Sequence, residues 1–163
     1  MIDIKIMQDA SEIIRYDSDK LPYAIQERLL SQFTERRALC HWHPDIECIR
    51  IYEGSMCYEI NGEQILLQTG DIVIVNSGQL HYGYAHDDED CKFCVELIHP
   101  DIFKTNLHIY QENVYPIIHA SGITYWLYHK EDSNYQQVAS LLDQIFDIRN
   151  NPKDSMLCLL NGL

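Results

Sequence analysis

Two short stretches hold the residues that could do chemistry. HWHPDIECIRIYEG, residues 41–54, carries His41, His43 and Glu47, and GDIVIVNSGQLH, residues 70–81, ends on His81. His41 and His43 are two apart, so on a strand both imidazoles face the same way, and a turn at Pro44 can return Glu47 beside them. His81, reached through Gly70 and Gly78, is the candidate fourth member. Three imidazoles and one carboxylate suit a divalent first-row metal such as zinc, nickel, iron or manganese, because neutral nitrogen and anionic oxygen donors match those ions. The same four side chains can instead hydrogen-bond a polar effector directly, since each imidazole offers a donor and an acceptor. Buried without any partner they would be costly, so something polar is expected among them.

Two further residues follow from strand alternation. If residues 36–43 form one strand, Arg37 shares the face of His41 and His43 and becomes a candidate clamp for an anionic or sugar-like effector; otherwise it is a surface residue at the strand start. Tyr58 shares a face with Met56 and Ile60, and its hydroxyl can read a ligand. Tyr82, Tyr84, Tyr125 and Tyr128 are either pocket or ordinary packing residues. His86, His99, His108, His119 and His129 lack a partner pattern and read as structural or surface residues. The CKFC stretch, Cys91 to Cys94, lies among strand formers, where positions three apart point to opposite faces, so a shared metal would need a bend there.

The elements that must position these residues are mostly short strands. From Leu21 to about His99 the chain alternates apolar runs with turn signals, which predicts strands over 23–30, 36–43, 46–53, 56–60, 64–68, 72–75, 81–85 and 92–99. Asn61-Gly62 predicts a type I′ hairpin, because both central residues need positive φ. The spacings are too short for crossover helices, which excludes a parallel βαβ topology. Near the end Val138, Leu141, Leu142, Ile145 and Phe146 fall at helical spacing, with Ser133 and Gln136 placed for a capping box, so a helix is expected from Ser133 to about Arg149. Asn151-Pro152 should break it, and Met156 to Leu163 begins a second apolar stripe cut off by the chain end.

Composition bounds the function. The 163 residues carry 12 Lys and Arg against 25 Asp and Glu, a net charge of -13, which repels phosphate backbones and argues against direct nucleic-acid binding. The size is that of one globular domain. No secretory signal or membrane-length apolar run is present, so a cytoplasmic location with reduced thiols is expected for the six cysteines.

The site residues resemble the cupin family. Its first motif, His-x-His followed by Glu and then Gly, is matched by His41, His43, Glu47 and Gly54. Its second is matched by Gly70, Gly78 and His81, with Asn76 standing where Pro is usual and Ala85 where Asn is usual. The ligand set is thus intact and the flanking scaffold reads as loosened. HWHPDIE, a hairpin with NGE, a GD turn, SGQLH, a strand leading to HPDIF and C-terminal helices together resemble the N-terminal sensor domain of AraC-type transcription regulators, over roughly residues 20–163. That resemblance implies a mainly β fold, a cupin-type double-stranded β-helix or jelly-roll barrel with C-terminal α-helices. It implies an N-terminal arm over 1–20, a barrel over 21–130 and a helical dimerisation segment over 131–163, truncated before a DNA-binding domain that this chain lacks. The expected role is sensing of a small metabolite, with a carbohydrate as the first candidate, by a homodimer that meets DNA only through the missing domain and has no membrane partner. Effector binding is expected at Arg37, His41, His43, Glu47, Tyr58 and His81, and metal binding, if any, at His41, His43, Glu47 and His81. The alternative is a free-standing metal-dependent cupin enzyme, a dioxygenase or sugar isomerase.

Overall fold

Glycines and one asparagine at the turns set the strand order. A computed structural model describes residues 2, 4–18 and 21–150, the side chains of 148–150 excepted. Its eight strands are β1 (Tyr23–Leu29), β2 (Ile46–Glu53), β3 (Ser55–Ile60), β4 (Glu63–Gln68), β5 (Ile72–Val75), β6 (His81–Ala85), β7 (Lys92–Ile98) and β8 (Tyr125–Tyr128). Seven of them fall on predicted runs. Asn61 and Gly62, at φ 50° and 85°, make the expected β3–β4 hairpin.

The strands form two sheets, one of five in the order β1-β7-β2-β5-β8 and one of three in the order β4-β3-β6. The β1–β7, β2–β7, β2–β5, β3–β4 and β3–β6 ladders are all antiparallel. Alternation sends Ile49 and Ile51 of β2, Met56, Tyr58 and Ile60 of β3, Leu67 of β4 and Val73 and Val75 of β5 into one core cluster. This is the mainly β, antiparallel architecture that the cupin resemblance implied.

The run 36–43 is not a strand. Glu35 and Arg36 take positive φ, 53° and 52°, within a 3-10 turn (Thr34–Arg36), which ends any extended run before Arg37. Beyond it the chain touches β6 only at points: Arg37 bridges Tyr84, the Ala38 N–H bonds the Gly83 carbonyl, and His41 and His81 exchange backbone hydrogen bonds. A second difference is the segment after β7. Residues 100–118 wind through Pro100–Thr105, Leu107–Ile109, a π turn at Tyr110–Val114 and Tyr115–Ile118, a stretch for which no element was predicted.

The described residues up to Leu127 form one compact unit and those from Tyr128 onward another. Within the second, the helix Tyr135–Asn150 begins two residues later than expected. Its first turn closes through the Val138 N–H to the Asn134 carbonyl, so Ser133 precedes the helix and does not cap it. Along it Tyr135, Ala139 and Leu142 are buried while Leu141 is exposed. The break at Asn151-Pro152 and the stripe Met156 to Leu163 lie outside the described residues. Among the described residues no helix is long and apolar enough to cross a membrane.

One turn is sterically closed to any side chain. Gly54, between β2 and β3, sits at φ 78°, and a Cβ there would stand 2.2 Å from the Asp90 carbonyl oxygen. Gly62 has equal need of positive φ but open space around it. We expect Gly54→Ala to cost roughly 2–4 kcal/mol and Gly62→Ala about 1 kcal/mol, measured by urea unfolding of the two variants.

Candidate functional site

The cluster is built from local hydrogen bonds. His41 Nδ1 lies 2.7 Å from the Leu39 carbonyl oxygen, His43 Nδ1 3.2 Å from that of Asp45, and His81 Nδ1 2.8 Å from that of Gln79. A carbonyl oxygen only accepts, so each Nδ1 carries the hydrogen and each Nε2 is left with its lone pair. Those three nitrogens converge on Glu47: the donor atoms of His41, His43, Glu47 and His81 lie within 4.8 Å of one another, and all four residues are buried. Glu47 Oε2 is 3.1 Å from His43 Nε2 and 3.5 Å from His81 Nε2. The Tyr58 hydroxyl donates to Glu47 Oε1 at 2.5 Å. His81 Nε2 is fully buried and has no hydrogen-bond partner.

The electrostatics follow from that convergence. At Glu47 burial pushes the pKa up, but the His81 and His43 imidazoles outweigh it and hold the carboxyl well below its usual range. At His43 burial favours the neutral ring, yet the hydrogen bond and charge of Glu47 prevail and raise the pKa. Burial, then the Glu47 charge, push the Tyr58 hydroxyl well up, so it stays a donor. Three imidazole nitrogens and a carboxylate oxygen thus meet in a buried site, and a proton or a metal ion must lie among them. A metal fits: the donors are three imidazoles and a carboxylate, each imidazole is oriented through its far nitrogen, and one buried nitrogen is orphaned.

A cavity of about 400 Å³ opens onto this cluster through His41, Glu47 and Tyr58. His43 and His81 stand behind them and do not line it. Its walls are mixed: Ile49, Met56, Phe93, Val95 and Leu97 give apolar surface, and Lys5, Arg15, Gln26 and Arg28 give polar and charged surface. The sheet register separates its polar ends. Glu47 is level with Leu97, whereas Arg28 is level with Phe93, four residues along β7 and so about 13 Å away along the strand.

Other expected residues lie elsewhere. Arg37 does not line the cavity: it is exposed, with its guanidinium 4.6 Å above the Tyr82 ring and 5.5 Å from that of Tyr84. The positive φ at Glu35 and Arg36 removed the alternation on which its placement depended. Of Tyr82, Tyr84, Tyr125 and Tyr128 only Tyr82 borders the cavity, and the Tyr125 hydroxyl donates to Glu63. Cys91 packs into the core cluster, while Cys94, three residues on, points to the opposite face of the sheet. The scaffold at Asn76 is not loosened. Its Nδ2 donates to the Ile117 and Ile123 carbonyls and its Oδ1 accepts from the Ser77 N–H, which ties the segment after β7 to the loop that carries His81.

Sequence reasoning missed two neighbours. Asp45 is buried, accepts from the Tyr16 hydroxyl at 2.9 Å and is raised in pKa by that burial; its place inside HWHPDIE was the available signal. Glu12 reaches His41 Nε2 at 3.1 Å from the N-terminal segment. Nothing local in the sequence marks it.

Fold and cavity define a two-sheet, antiparallel β domain with a cavity beside a buried polar cluster. The sequence model of the AraC-like ligand binding domain matches residues 26–159, and the chain belongs to that family. It is 26% identical over 145 residues to a protein of Bacillus subtilis (strain 168) described as the uncharacterized HTH-type transcriptional regulator YdeC. That match takes in 89% of this chain and 48% of YdeC, so the chain spans about half the length of its curated relative. Among solved structures it is similar to ToxT from Vibrio cholerae with an unsaturated fatty acid bound, at 14% identity and TM-score 0.54, over 88% of this chain and 52% of ToxT. A second ToxT structure aligns at 11% identity and TM-score 0.50, over 80% of this chain and 54% of that one. At these identities the likeness is one of fold.

The coupling within the cluster is measurable. Replacing Glu47 by Gln removes the charge that lifts His43 and leaves burial in control, so in chelator-treated protein the His43 pKa should fall from above about 6.5 to below it. Imidazole NMR titration of the wild type and of Glu47→Gln reads the change directly, and an unmoved His43 would contradict the assignment.

Proposed function

We propose that this chain is the ligand-sensing domain of a bacterial transcription regulator, and that it binds its effector in the barrel cavity against the His41, His43, Glu47 and His81 cluster. The observation that carries this reading is the cavity itself, about 400 Å³ lined by both apolar and charged side chains and bordered by the polar cluster, in a chain of the AraC-like ligand-binding family. DNA would be met by the other half of a protein as long as the relative it matches. Dimerisation is assigned to the C-terminal helix, where exposed Leu141 offers an apolar contact.

His41, His43, Glu47 and His81 would hold a divalent cation. Bound there, it would supply a Lewis-acidic contact for a donor atom of the effector. The chain's own residues do the rest: Tyr58 holds the Glu47 carboxylate by hydrogen bonding, and Ile49, Phe93 and Val95 give the cavity an apolar wall. A carbohydrate is the effector first expected, but some of its hydroxyls would face that apolar wall. The lining better suits an organic anion with an apolar middle, with its charge toward Arg28 and Lys5 and a polar group toward Glu47. An effector alters regulation only through different affinities for two arrangements of the domain.

The intact donor set also favours a metal-dependent enzyme of the cupin fold, and turnover of a bound compound would decide for it. The test is a thermal-shift panel of monosaccharides and of C6–C16 carboxylates, run on the wild type and on Val95→Phe, which fills the cavity. At least one carboxylate should raise the wild-type midpoint by several degrees, an effect of ligand at about 100 times its Kd, and leave Val95→Phe unmoved. Stabilisation by sugars alone would return the carbohydrate reading, and no stabilisation by any member would overturn effector binding in the cavity.

A further inference from the structure

The N-terminal segment is fastened to the barrel at the residue between the two histidines of the HWH motif. The Glu12 N–H donates to the Trp42 carbonyl at 2.8 Å, the Trp42 N–H to the Ala10 carbonyl at 3.0 Å, and Trp42 Nε1 to the Asp9 carbonyl at 2.9 Å. This pinning delivers the Glu12 carboxylate to His41, with Oε2 at 3.1 Å from Nε2. Both side chains are largely buried, at 14% and 8% exposure. Because His41 Nδ1 bonds the Leu39 carbonyl, Nε2 is the ring nitrogen that faces the Glu12 oxygen.

We propose that Glu12 is a fifth donor of the metal site, so that binding of a divalent cation fastens the N-terminal segment over the cavity. The proposal rests on the reading that the cluster holds a metal. Three observations carry it. First, 3.1 Å is the separation of neighbouring donors around an ion whose bonds are about 2.1 Å long, and it equals the separation of Glu47 Oε2 from His43 Nε2. Second, Glu12 and Glu47 bring two negative charges to three neutral imidazoles, and one divalent cation balances them. Third, Glu12 lines the cavity together with His41 and Glu47, whereas His43 and His81 do not, so it enters from the side on which the four-donor cluster is open. Glu12 stands against His41 alone, outside the set of four, so full coordination draws the segment inward. An effector that brings its own donor to that side competes with Glu12 for the position, which couples the cavity to the N-terminal segment.

The experiment is a Ni2+ titration by calorimetry, with amide hydrogen exchange of residues 4–18 read with and without Ni2+. It uses chelator-treated, untagged wild-type chain, Glu12→Gln and Glu59→Gln. Glu59 accepts from Tyr82 on the outer face of β3, so its variant removes the same charge away from the site. We expect Glu12→Gln to weaken Ni2+ binding by about tenfold or more and to abolish the Ni2+-induced slowing of exchange in residues 4–18, with Glu59→Gln behaving as wild type. Unchanged exchange in the barrel strands serves as the fold control. Equal affinity and equal slowing in wild type and Glu12→Gln would overturn the role of Glu12 and leave the four-residue metal site standing. No binding by the wild type would overturn both.

Discussion

Three imidazole nitrogens and one carboxylate converging on the same buried point form the constraint on which the rest of this molecule depends. Like-signed groups do not gather in a barrel interior unless something holds them and something positive sits among them. What holds them is short-range: each imidazole is locked by a backbone carbonyl only two residues away, at Leu39, Asp45 and Gln79. What brings the two stretches together is the paired backbone of His41 and His81. The Tyr58 hydroxyl from β3 and the tie from Asn76 to the segment beyond β7 then fix the cluster from two further sides.

Much of this was legible because its signals are local. Apolar alternation placed seven strands, Asn61-Gly62 announced a hairpin by the φ it requires, and the two-residue spacing of His41 and His43 put both rings on one side. The same logic failed where a single backbone feature broke the period. Positive φ at Glu35 and Arg36 turned a run of strand formers into a loose edge and carried Arg37 outside, onto Tyr82. The short helical turns of residues 100–118 carry no sustained period. Asn76 looked like a defect against a family motif and proves to be a three-bond anchor, which only the fold could reveal. Glu12 is the clearest case: its position beside His41 depends on hydrogen bonds to Trp42, thirty residues away, and no spacing in the sequence encodes them.

The cavity is polar at its ends and apolar between them, and that asymmetry connects structure to regulation. The Glu47 end is deep and negatively charged; the Arg28 end, about 13 Å away along β7, is bordered by cations. The N-terminal segment contributes Glu12, Lys5 and Arg15 to its lining. A ligand seated between them therefore meets the barrel and the segment at once.

The most direct test is the metal content of untagged wild-type protein, measured by elemental analysis beside a His43→Ala, Glu47→Ala double variant. About one equivalent of a divalent metal per chain is expected in the wild type and none in the double variant. A wild-type chain that is isolated metal-free and takes up no zinc from a buffered solution would contradict it, and a shared proton would then be what holds the four side chains together.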